Sequence, residues 1–204
     1  MHVKVGTVSN PLDPVPSLPL LGSVGKNESP ALPIGEAGPP FTELAGVDGQ
    51  RHGIGSFAQS RVLVLAFLGN ACPAAKGLLP ELTALQLRYR SQGVQVVAIN
   101  PNNPHLSPRD SLEEMIRFAE EHGLNFPYLK DPDGSVARTY GARNTPHFVV
   151  LDSERKLRYR GRMFDSREPA RATQRDLDEV LGALLAGRPV ARPETSPLGC
   201  GIVW

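Results

Sequence analysis

The chain carries two thiols, Cys72 and Cys200. Cys72 lies in "FLGNACPAAK", directly after an apolar run and directly before a stretch with helical spacing. Pro73 suits the first position of that helix. A thiol at such a junction faces unpaired backbone N–H groups and the positive end of the helix dipole, and both favour the thiolate. Thiols so placed have pKa values lowered from about 8.5 to roughly 3.5–7.5. Lys76, about one helical turn further on, is a candidate source of added positive charge. Three positions after Cys72, where a second thiol would close a short redox loop, stands Ala75. A lone cysteine is also commonly a small buried apolar residue. Position alone therefore leaves two readings open, a reactive nucleophile and a core filler.

The elements that must hold Cys72 can be read around it. "RVLVLAFL" before it is apolar throughout, rich in branched residues and too short for a helix, which suits a strand buried on both faces. Pro73 to Arg90 places Leu78, Leu79, Leu82, Leu85 and Tyr89 at helical spacing, with Pro80 inside the pattern, where a kink is expected. "VQVVAIN" predicts a second buried strand. Ser111 opens "SLEE", a capping box, and Leu112, Met115, Ile116 and Ala119 give the next helix its face. Gly134 to Tyr140 predicts a short helix after "DPDG". "HFVVLD" and "KLRYRG", joined by "SER", predict an antiparallel hairpin. Thr173 opens "TQRD", a second capping box, before a helix facing inward through Leu177, Val180, Leu181 and Leu184. Upstream, "FTELAGVDGQRHGIGSF" places "DG" between two short strands, a hairpin signal. The early alternation of strands and helices implies parallel neighbours with right-handed crossovers, and the late hairpin adds antiparallel ones.

The chain has 204 residues and a net charge of +1, which gives no electrostatic argument for nucleic acid or an anionic membrane as partner. No run of eighteen apolar residues exists, so no transmembrane helix is expected. The first residues lack the apolar core of a signal peptide, so a cytoplasmic location is expected. Two cysteines are too few for a secreted disulfide scaffold. The cysteines and scattered histidines have no zinc spacing, "DPDG" lacks the later glutamate of a calcium loop, and no phosphate-binding glycine motif occurs. Neither cofactor nor metal is expected. Three regions are expected: an irregular Pro/Gly-rich arm over 1–34, one α/β domain over 35–188, and a tail over 189–204 that packs back through Ile202, Val203 and Trp204, too apolar for comfortable solvation.

Cys-Pro at a strand-to-helix junction, Pro80 eight residues after the cysteine, and Thr145-Pro146 before a core strand together resemble the thioredoxin superfamily. The segments "NACPAAK", "GVQVVAINPNN", "NFPYLKDPDGSVARTYGARNTPHFVVLD", "KLRYRGR" and "PETSPLGCGIVW" more closely resemble its redoxin branch, the alkyl hydroperoxide reductase/thiol-specific antioxidant family, over about residues 35–204. The resemblance implies a thioredoxin-like fold, a central mixed β-sheet flanked by helices with an N-terminal β-hairpin extension. It implies a cis Pro146 packed against Cys72, and a Thr145 backbone free to pair with an extended thiol substrate. Asn70 and Lys76 match positions that the family motif also fills with Asn and Lys. Asn70, Pro73, Thr145 and Pro146 are thus the expected substrate contacts. The departures are as informative. A standard peroxiredoxin has Pro and Thr or Ser where this chain has Leu65 and Gly69, and an arginine near the place taken by Pro146; Arg143 is close in sequence but elsewhere. Some relatives have a cysteine where this chain has Asn144.

A second thiol can come only from Cys200, 128 residues on (200 − 72 = 128). That distance is no obstacle if the tail folds back. Flanking glycines in "LGCGI" leave its sulfur accessible, and the distant C-terminal resolving cysteine of some peroxiredoxins, often across a dimer, is an analogy. Cys200 is therefore a candidate resolving thiol, with a buried anchor for the tail as the alternative. His147 is read as a strand-end histidine with a structural hydrogen bond, with proton carriage to the site as the other reading. The expected function is a thiol-dependent oxidoreductase or antioxidant protein in which the Cys72 thiolate attacks a disulfide or peroxide substrate. An external thiol, thioredoxin-like or of low molecular weight, would be the reductant, and a homodimer is a candidate assembly. The alternative is a non-catalytic thioredoxin-fold binding module.

Overall fold

The computed structural model describes His2 and residues 32–204; nearly all of the expected arm over 1–34 lies outside the described residues. Nine strands and four helices follow in the order β1 (Leu44–Gly46), β2 (Arg51–His52), β3 (Val62–Phe67), α1 (Pro73–Tyr89), β4 (Val94–Asn100), α2 (Leu112–Glu121), β5 (Tyr128–Lys130), α3 (Ser135–Thr139), β6 (Asn144–Thr145), β7 (His147–Leu151), β8 (Leu157–Gly161), α4 (Asp176–Leu185) and β9 (Cys200–Gly201). Seven strands form one mixed sheet in the order β2-β1-β5-β4-β3-β7-β8. β3, β4 and β5 run parallel, and β7 pairs antiparallel with β3 and β8. The N-terminal hairpin joins the sheet through β1 on β5.

β3 is apolar throughout because the sheet is covered on both faces. Val64 and Ala66 face α1, α2 and α4 through Leu79, Leu82, Met115, Phe118, Leu177 and Leu181. Leu63, Leu65 and Phe67 face the other layer, where Val136, Ala137 and Tyr140 meet Phe41 and Phe57. With period-two alternation, no residue of β3 has a solvent side, and all six are buried.

Four sequence expectations differ from the structure. "PYLKD" contains a strand, β5, that the "FP" and "DPDG" turn signals on either side concealed. α2 is capped by Ser111, which accepts the Glu114 N–H at 3.3 Å, but its inner face is Met115 and Phe118, while Ile116 is exposed. α4 starts after Arg175; the Thr173 hydroxyl is bound to Asp165 and caps no helix. The pair β6–β9 was invisible because its two strands have two residues each and lie more than fifty positions apart.

Candidate active site

β3, β4 and β5 are parallel, so their carboxyl ends converge on one edge of the sheet, the usual place for a site in such sheets. The turn after β3 carries Gly69, Asn70 and Cys72. Cys72 is the N-cap of α1 and Pro73 its first residue. The Cys72 N–H donates to Gly69 O (3.1 Å), and its carbonyl accepts the Lys76 N–H (3.1 Å). No acidic residue lies in the first turn of α1 to oppose a thiolate. The Lys76 ammonium lies over the Phe118 ring, 5.7 Å from its centroid. The cation at position 76 thus rests on an aromatic ring of α2.

The Thr145–Pro146 peptide is cis, and Cys72 Sγ lies 3.0 Å from the Thr145 carbonyl oxygen. Pro146 lines a narrow cleft with Ala74, Leu78, Met163, Phe164 and Leu198, edged by Arg162, Ser166 and Arg167. The backbone edge of Thr145, expected to be free for a substrate, is taken by the chain itself. β9 pairs antiparallel with β6, Thr145 opposite Cys200 and Asn144 opposite Gly201. Cys72 and Cys200 form a disulfide with their Cα atoms 6.0 Å apart, inside the range such a bond spans. The tail continues in register. Ile202 N–H donates to Arg143 O (3.0 Å), Val203 N–H to Asn102 Oδ1 (2.9 Å), and Val203 O accepts from Asn103 N–H (2.7 Å). Ile202 is buried in the second core layer, a contribution of about 2 kcal/mol. Trp204 stacks against the Arg138 guanidinium, 4.1 Å from the ring centroid. Gly199 permits the crossing beside Pro146: a Cβ there would stand 2.6 Å from Thr145 C and 2.9 Å from Pro146 Cδ.

Behind the cysteine turn is a buried polar network that sequence reading left without a role. The Asp110 carboxylate, fully buried, accepts from Asn70 N–H (2.7 Å) and Asn100 Nδ2 (2.8 Å) on one oxygen. The other accepts from Asn102 Nδ2 (3.1 Å) and Ser107 Oγ (2.5 Å). Four donors offset the cost of burying the charge. Asn70 is committed here as well: its Nδ2 donates to Arg109 O (2.8 Å) and its Oδ1 accepts from Tyr128 OH (2.8 Å). Both ends of its carboxamide are thus taken by neighbouring groups of the chain. Lys130 Nζ donates to Asn102 O (2.5 Å), and burial lowers its pKa to about 8 against the pull of Asp110 and Asp131. Burial likewise raises the Tyr128 phenol far above its ordinary value, keeping it a neutral donor. The available signal was the run of Asn100, Asn102 and Asn103 at and just beyond the end of a buried parallel strand.

Gly69 has a physical reason. A Cβ there would lie 2.5 Å from Asn102 Nδ2 and 3.3 Å from Thr145 Oγ1, so the network fills the space that a side chain at 69 would need. His147 lies on the face of the sheet opposite Cys72, beside Phe67 and Arg160. Burial, helped by Arg160, lowers its pKa to about 4. Both of its ring nitrogens are buried without a hydrogen-bond partner among the described residues, so the structural hydrogen bond expected of it is not formed.

A family model described as Redoxin matches residues 33–181. The crystal structure of an uncharacterized conserved protein from Geobacillus kaustophilus is 38% identical, covers 84% of this chain and 92% of its own, and superposes with a TM-score of 0.79. Thiol-disulfide oxidoreductase ResA of Geobacillus thermodenitrificans is 28% identical over 131 residues, 64% of this chain and 70% of that one. The crystal structure of peroxidoxin BcpB from Mycobacterium tuberculosis shares the fold with a TM-score of 0.60 at 19% identity, over 76% of this chain and 97% of its own.

Proposed function

This chain belongs to the redoxin family, a family of thioredoxin-like oxidoreductases, and on that footing we propose that it is a thiol–disulfide oxidoreductase whose working pair is Cys72 and Cys200. The observation that carries the reading is the seat of the tail: β9 brings Cys200 onto the Thr145 edge and into bonding distance of Cys72. In the reduced chain the Cys72 thiolate attacks a disulfide R–S–S–R′. A Cys72–S–S–R bond forms and R′–S⁻ leaves. The Cys200 thiolate then attacks Cys72 Sγ, expels R–S⁻ and closes the internal disulfide. An external dithiol reopens it, giving up two electrons and two protons and becoming oxidised in turn. A hydroperoxide enters the same cycle: Cys72 becomes a sulfenic acid as ROH leaves, and Cys200 displaces water. The pair closes within one chain, so the cycle requires no second subunit.

The relative named as a thiol-disulfide oxidoreductase supports the disulfide as substrate class. The test is steady-state reduction of a small disulfide with a dithiol as electron source, together with mass mapping of the oxidised chain. Turnover lost in Cys72→Ser, slowed in Cys200→Ser and accompanied by a 72–200 linked peptide is the expected result. Full turnover in Cys72→Ser would leave a non-catalytic binding module as the better reading.

A further inference from the structure

We propose that Asn102 is a positioning residue that ties the seating of the tail to the alignment of Cys72; the inference rests on the Cys72–Cys200 cycle proposed above. Asn102 is 4% exposed and touches neither sulfur. Its carboxamide has two ends with different tasks. Oδ1 accepts the N–H of Val203, three residues beyond Cys200 (2.9 Å). Nδ2 donates to Asp110 Oδ2 (3.1 Å), and the other Asp110 oxygen holds the N–H of Asn70, two residues before Cys72 (2.7 Å). One planar group therefore connects the tail strand to the cysteine turn through a single buried carboxylate.

The surroundings leave that group little freedom. The Asn102 N–H donates to Asn100 Oδ1 (3.1 Å), and its carbonyl is held by Lys130 Nζ. The bareness of Gly69 makes the room for its amide. Of the amino acids of this length, only asparagine offers a donor and an acceptor fixed in one plane. Aspartate would keep the bond to Val203 but set a second carboxylate against Asp110, and leucine would keep neither bond. A tail lifted from Asn102 Oδ1 frees the amide to turn, and Asp110 loses one of the donors that hold it against the Asn70 N–H. Seating of Val203 and closure of the Cys72 turn thus favour each other.

Two measurements on the intact chain test this. The first is the equilibrium for closing the 72–200 disulfide against a glutathione redox buffer, which gives the effective concentration of Cys200 at Cys72. The second is the alkylation rate of Cys72 by iodoacetamide in the reduced chain. The variants are Asn102→Ala, a chain ended after Ile202, which lacks Val203 and Trp204, and the two combined. Asn102→Ala is expected to lower the effective concentration about tenfold and the truncation further, because it also removes the Asn103–Val203 bond and the Trp204–Arg138 contact; the combined loss is expected to fall short of the product of the two single losses, because both break the Asn102–Val203 connection. Ending the chain after Ile202 is expected to change the alkylation rate of Cys72 in the parent and leave it unchanged in Asn102→Ala. The truncation removes two residues that belong to neither core layer, so it remains informative if Asn102→Ala folds poorly: an unchanged effective concentration and alkylation rate in the truncated chain overturns the proposal by itself. Additive losses in the combined variant do the same. If the parent forms no 72–200 disulfide at all, the Cys72–Cys200 cycle itself fails; if the parent forms it and Asn102→Ala forms it equally well, only the role of Asn102 is refuted.

Discussion

Reducing the Cys72–Cys200 bond is expected to lower stability by about 5 kcal/mol. The bond joins residues 128 apart. In the chain-entropy account a cross-link acts on the unfolded state, and its effect grows with the logarithm of the loop: about 3 kcal/mol for fifteen residues and about 4.7 for a hundred. A loop of this size lies slightly above the second figure. For a domain of this length each kcal/mol moves the melting temperature by about 2–4 °C, so dithiothreitol is expected to lower Tm by roughly 10–20 °C. The assay is thermal unfolding followed by far-ultraviolet circular dichroism, with free thiols counted before and after. Cys200→Ser is expected to melt with the reduced parent and to ignore dithiothreitol. A shift below about 3 °C, with the thiol count proving that the bond was present and then lost, would refute the reasoning, because the unfolded chain would then gain no freedom from opening the loop.

Three further outcomes follow from other parts of the fold. Gly199→Ala is expected to unseat the β6–β9 pair, slow closure of the disulfide at least tenfold and lower the melting temperature of the reduced chain by up to about 4–8 °C as Ile202 leaves the core; stopped-flow oxidation and thermal unfolding check this. The chain has one tryptophan, Trp204, held on Arg138, so reduction is expected to shift its emission as the tail exchanges with solvent, and Cys200→Ser is expected to show the reduced spectrum from the start. His147 is held neutral in the fold with its pKa lowered to about 4 against an ordinary 6.5. Between those values the unfolded chain binds the proton and the folded one does not. Stability is therefore full above pH 6.5 and falls as the pH drops from 6.5 to 4, by about 3 kcal/mol. Urea titrations at pH 7 and pH 4 are expected to show that difference reduced in His147→Phe.

The cysteine turn, the parallel strands β3 and β4, and the inner faces of α1 and α4 were legible because each is encoded locally, by the runs "VLVLAF" and "VQVVAIN", by leucines at helical spacing and by Pro73. What escaped has a shared cause. The β5 strand has three residues between turn signals, and the bond from Val203 to Asn102 spans 101 positions. The family resemblance placed Asn70 and Thr145 at the site, but their atoms are taken by partners that no spacing rule links to them: Tyr128 and Arg109 for the one, the backbone of Cys200 for the other. Asp110, which holds the turn in shape, follows a proline and an arginine in an ordinary-looking loop.

The Cys72–Cys200 bond also changes how the chain would bear a mechanical load. Under tension applied at its two ends, residues 73–199 are bypassed, 127 of 204 (199 − 72 = 127), and only 77 can lengthen (204 − 127 = 77). At about 3.4 Å per residue the reach falls from roughly 700 Å to roughly 260 Å. The helices α1 to α4, together with β4 to β8, sit inside the bypass, while β3 and the N-terminal hairpin lie in the line of force. A reductant arriving under tension would release the remaining length, about 440 Å, so the extensibility of this molecule is set by the electron supply around it.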